Sequence, residues 1–149
     1  MELITAFLRE IGIAVAAADL PESFLPGIEI ERGALLVDES RLEYPGDLLH
    51  EGGHIAVAPP DIRRRMSGDV AELPDLEWAA IPWSYAAALE IGIDPAIVFH
   101  GGGYRGHSPG LLENFRLGVP IGLHFLVDAG MTTAEMYPRM LRWLRAGES

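Results

Sequence analysis

The sequence predicts an α+β fold: a single, mostly helical domain with a small β-hairpin ahead of a helix that carries two histidines. Three observations predict it. Apolar residues recur at helical spacing in Glu2 to Ile11, Asp47 to Ala58 and Asp75 to Ile91. Gly27 to Asp38 alternates apolar and acidic residues, turns at Arg32-Gly33 and continues into a second apolar run, which is a hairpin signature. No repeat, low-complexity tract or linker divides residues 1–149, a length that suits one domain.

The elements follow in order. Leu3, Ile4, Phe7, Leu8 and Ile11 share one face of the first helix. Pro21, Pro26 and Gly27 mark a loop before the hairpin. Asp47 supplies an acid near the N-terminus of the next helix, and Pro59-Pro60 stop it. Pro82 marks a kink or a fresh start within Asp75 to Ile91. Ala96 to Phe99 reads as strand-like, Gly101 to Gly110 as a glycine-rich loop, and Leu111 to Leu117 as a helix. His124 is expected near the core, paired with a backbone group. A last amphipathic segment, Pro138 to Arg145, sets Met140, Leu141 and Leu144 against Arg139, Arg142 and Arg145.

Composition excludes several classes. Apolar residues make up 49%, enough for a core. The formal charge is −11, and all 11 basic residues are arginine. Such a surface repels phosphate backbones and anionic lipid, so neither nucleic acid nor membrane is expected as a partner. Without cysteine there are no disulfides or thiolate sites, and any metal must be held by nitrogen and oxygen. Met1 to Leu20 lacks a basic start, so it does not read as a signal peptide. The longest apolar stretch, Gly118 to Val127, is far short of the roughly 20 residues of a membrane span. These readings predict a soluble, cytoplasmic protein.

The chemistry concentrates in His50-Glu51-Gly52-Gly53-His54, an H-E-x-x-H pattern. On a helix, residues four apart lie on one face, so the two imidazoles can converge on one ion. Glu51 then stands beside the ion, placed to take a proton from a water that the ion has acidified. Shuffling this composition would produce the pattern in about 1.5% of sequences, so the helical context matters. Gly52 and Gly53 weigh against it, each costing about 1 kcal/mol relative to Ala. Small residues there would let another backbone or a substrate approach the metal face.

Asp47 to Val57 resembles the active-site helix of the zincin metallopeptidases. It is not a metzincin, because Val57 and Pro60 stand where that pattern has glycine and a third histidine. The resemblance implies a catalytic zinc (Zn2+) with a third protein ligand. In gluzincins, including the small ImmA/IrrE type, that ligand is a glutamate on a following helix, which points to Glu77 in Leu76-Glu77-Trp78-Ala79-Ala80. Glu72, Asp75 and Glu90 are rivals. Glu90 lies about 220° around the helix from Glu77, so the two cannot share a face. In zincins a His or Tyr also steadies the oxyanion, a part that Tyr104, His107 or His100 could take. The bland reading of that loop is an ordinary surface loop.

The loop also contains G-x-G-x-x-G at Gly101, Gly103 and Gly106. A dinucleotide site would need repeated βαβ units with a helix opening at the motif, and Ser108-Pro109 follows at once.

The expected function is therefore a zinc-dependent hydrolase, a metallopeptidase by resemblance. His50, His54 and Glu77 hold the metal, Glu51 is the general base, and Tyr104 and His107 assist. The substrate is a peptide or another small hydrolysable molecule, and no organic cofactor is expected. The rival is a non-enzymatic acidic interaction module with a structural motif helix, its tryptophans Trp78, Trp83 and Trp143 serving an oligomer interface.

Overall fold

The computed structural model describes residues 2–23, 25–67, 74–100 and 108–147, at 74, 75, 108 and 109 for the backbone. Helix α1 (Glu2–Glu10) buries Ile4, Phe7 and Leu8, one stripe of an amphipathic helix. Leu3, expected on that stripe, is exposed instead.

Strands β1 (Val15–Ala17), β2 (Ile28–Glu31) and β3 (Ala34–Val37) form one sheet in the order β1-β3-β2. The antiparallel hairpin pairs Ile28 with Val37 and Ile30 with Leu35, so these four side chains share the core face. Its turn holds Arg32 and Gly33 both at positive φ, the backbone that tight hairpins of matching twist require. β1 adds a parallel third strand beside β3, with Val15 opposite Leu35. Asp38, just past β3, accepts from the Leu20 backbone N–H at 3.0 Å and the Ser40 hydroxyl at 2.6 Å, and it pairs with Arg41.

Helix α2 (Gly46–Val57) follows, then a single turn, α3 (Pro60–Arg63), and the long helix α4 (Pro74–Ile91). Leu48, Leu49, Ile55 and Val57 anchor α2 in the core as expected. The glycines of α2 face neighbouring helices. A Cβ at Gly52 would lie 2.5 Å from Leu8 Cδ2 on α1, and one at Gly53 would lie 3.0 Å from Trp83 Cε3 on α4. They admit packing partners rather than a substrate, which corrects that expectation.

α4 runs unbroken through Pro82, so there is no fresh start. Proline has no N–H to give the carbonyl of Trp78, one turn earlier. Gly122 packs against that carbonyl at φ 82°, where a Cβ would lie 2.3 Å from the oxygen.

Beyond α4, Pro95–Ile97 is a turn of 3-10 helix capped by Asp94, which accepts from Ala96 N–H at 2.9 Å. The strand-like reading of Ala96 to Phe99 is thereby corrected: a capped proline turn outweighs a short apolar run. Helices α5 (Ser108–Arg116) and α6 (Leu123–Asp128) complete the order. His124 is exposed and lies against the Phe125 ring, not in the core. Leu126, about 200° further round α6, takes the buried side.

The last segment, Pro138 to Arg145, is irregular rather than a regular two-faced element. Its backbone bonds go elsewhere: Leu141 N–H to Met131 C=O at 2.9 Å and Arg145 N–H to Ala56 C=O at 2.8 Å. Met140, Trp143 and Leu144 pack against the core, while Leu141 is exposed. Trp143 stands edge-on to Phe7 and Trp83, at centroid distances of 5.1 and 5.7 Å.

Candidate metal centre

Two helices build the site. α2 presents His50 and His54 one turn apart, and α4, packed along it, brings Glu77 from its first turn. The two Nε2 atoms are 3.1 Å apart, with the rings edge to face. Glu77 closes on both: Oε2 lies 2.8 Å from His54 Nε2 and Oε1 3.5 Å from His50 Nε2. Glu51 Oε1 stands further out, 3.8 Å from His50 Nε2.

His50, Glu51 and His54 can each offer a donor atom within 4.8 Å of the others, so two carboxylates compete to be third ligand. Glu77 places one oxygen toward each imidazole, while Glu51 stands beside His50. A tetrahedral zinc with ligands at about 2.0–2.2 Å spaces neighbouring donors about 3.3–3.6 Å apart. The separations of 3.1 and 3.5 Å at His50 lie near that spacing, whereas the 2.8 Å between His54 Nε2 and Glu77 Oε2 is a hydrogen-bond distance. Two imidazoles and a carboxylate without sulfur form a donor set that zinc accepts.

Electrostatics favour a neutral His50 ring. Burial pushes His50 down to about 3, the nearby His54 adds to this, and Glu77 partly opposes it. A neutral imidazole is the form that ligates metal.

The sequence did not anticipate the pair at the head of α2. His100 Nε2 lies 2.6 Å from Asp47 Oδ1, and the His100 ring stacks on Tyr44 at 3.8 Å and 10°. Burial raises the Asp47 carboxyl, opposed by its bond to His100. His100 also lowers the pKa of His50, the smallest of the effects on that ring. Asp47 was legible as a helix-start acid, but no local signal pointed from it to His100.

Among the rivals, Glu90 is exposed in the last turn of α4, about 20 Å along the axis from Glu77. Glu72, Tyr104, His107 and the glycine motif of Gly101, Gly103 and Gly106 lie outside the described residues, as does the side chain of Asp75. The segment before that motif is 3-10 helix, which removes the strand a dinucleotide site needs. Trp83 is buried and Trp143 packs on the core, so of the three tryptophans only Trp78, 46% exposed, is available to an interface. No helix among the described residues is long and apolar enough to cross a membrane.

Compared with models of protein families, with curated proteins and with solved structures, the chain matches none of them.

Proposed function

We propose that this chain is a zinc-dependent hydrolase of zincin-like chemistry, acting on peptide bonds. His50, His54 and Glu77 would hold the ion. The observation that carries the reading is the Glu77 carboxylate reaching both imidazoles from a second helix. A bound zinc supplies Lewis acidity to a substrate carbonyl and makes water easier to deprotonate. Glu51 takes the proton of the attacking water and passes it to the leaving amine. Its side chain is mostly shielded, with Oε1 3.8 Å from His50 Nε2. Of the oxyanion candidates, His100, held by Asp47 at the head of the same helix, would be the ring suited to steadying developing negative charge.

Zinc content and cleavage of a mixture of unfolded peptides test this together. His50→Ala and Glu77→Ala should lose the metal, while Glu51→Gln should keep it and lose cleavage. Full activity in Glu51→Gln removes the base assignment, and a wild-type protein that takes up no zinc removes the reading.

Leu117 and Val119, 70% and 51% exposed on either side of Gly118, favour a second reading as a self-associating module. Light scattering of wild type and Leu117→Asp distinguishes it: a dimer dissolved by that change supports the module.

A further inference from the structure

We propose that Arg63 is a positioning residue for this metal centre, holding the last turn of α2, and with it His54, from outside. The inference rests on the metal-binding reading above. Its starting point is a weakness in α2. Gly52 and Gly53 lie between the two histidines, and each lowers helix stability by about 1 kcal/mol relative to Ala. The pitch separating His50 from His54 is therefore set by what packs around the helix, more than by its own propensity.

Two sides are held by Leu8 and Trp83. The end is held by Arg63. Its Nε donates to Ile55 C=O at 2.9 Å, and its Nη2 donates to Ala56 and Ala58 C=O at 3.2 and 3.0 Å. The last carbonyls of a helix lack intrahelical donors, and a cation there also meets the negative end of the helix dipole. One guanidinium thus binds three of the carbonyls that follow His54, while Arg145 Nη1 reaches Val57 C=O at 3.5 Å.

Arg63 is itself fixed. Its carbonyl abuts the hairpin turn, where a Cβ at Gly33 would lie 2.5 Å away. The same Nη2 donates to Arg145 C=O at 2.8 Å, while Arg145 N–H donates to Ala56 C=O at 2.8 Å. Hairpin, final segment and motif helix all meet at this residue. A lysine could not reproduce it, because an ammonium is a point donor without the planar fork.

The test titrates purified wild type, Arg63→Met and Arg63→Lys with zinc against a competing chelator, and records the visible spectrum of each with cobalt(II). Asp38→Asn, whose carboxylate bonds go to Leu20, Ser40 and Arg41 rather than to α2, is the destabilised control. Removing a group that orients a ligand typically weakens metal binding about 10–100-fold. Both Arg63 variants should lose at least tenfold in zinc affinity and show an altered cobalt spectrum, with the control unchanged. Arg63→Lys keeps the test open if Arg63→Met fails to fold. Arg63 variants that bind within twofold of wild type with the same spectrum overturn the inference and leave the metal reading standing. Equal losses in the control overturn it as well. A wild type that binds neither ion overturns the metal reading itself.

Discussion

The carboxylate of Asp47 and the ring of His100 meet at 2.6 Å, joining the first turn of the motif helix to the chain beyond α4. The contact is mostly shielded, and Tyr44 covers the far face of the ring. His100→Phe should preserve the stack and delete the donor, leaving a buried carboxylate without that bond. The expected loss is about 1–3 kcal/mol. Asp47→Asn added to it should recover part of the loss, because an amide costs less to bury than a carboxylate. Denaturant unfolding of the single and double variants measures the coupling, and strictly additive effects would refute it.

Gly52 offers a sign-reversal experiment. Alanine should strengthen the helix by about 1 kcal/mol. Its Cβ, however, would press on the buried Leu8 side chain at 2.5 Å, and overpacking a core costs about 1–3 kcal/mol. Gly52→Ala should therefore destabilise the wild-type protein. In a Leu8→Ala background the same change should stabilise, since the obstruction is gone. Thermal unfolding of the four proteins decides it, and a gain in both backgrounds would contradict the packing.

Asp38 predicts a pH dependence. The Leu20 N–H, the Ser40 hydroxyl and Arg41 hold its carboxyl far below the ordinary 3.8. A carboxyl lowered on folding contributes stability that is present above its unfolded value and is lost as pH falls toward its folded one. The stability gap between wild type and Asp38→Asn should be widest above about pH 4. It should narrow steadily in more acid solution. Urea midpoints across that range test this, and a gap that does not change with pH would be inconsistent with it.

What the sequence disclosed, and what it hid, follows from where each signal resides. α2 was legible because histidine spacing, apolar anchors and two prolines all act within a dozen residues. The hairpin was legible because its alternation and turn are equally local. β1 was not: its three residues, Val15 to Ala17, carry no apolar alternation, and only pairing with β3 defines them. Pro138 to Arg145 showed two faces in sequence, yet bonds to Met131 and Ala56 draw its backbone away from regular structure.

Within the site, Glu77 was singled out by resemblance, with Glu72, Asp75 and Glu90 as rivals, and its distances to the histidines span two helices, which no local spacing encodes. Arg63 left no trace, since its partners are backbone carbonyls and any residue type supplies those. Asp47 and His100 were each noted singly. Their union depends on the close approach of Ile97 to Gly46, where a Cβ would sit 2.0 Å from the Ile97 oxygen.

The edge-on contact between Phe7 and Trp143 has a consequence for biosynthesis. A ribosome releases Phe7 long before Trp143, so the opening helix emerges with its aromatic cover still unmade. Closure between such distant positions is slow, and it delays the burial that protects against aggregation. Until translation reaches that tryptophan, the Phe7 ring has Trp83 within aromatic contact but lacks its edge-on partner.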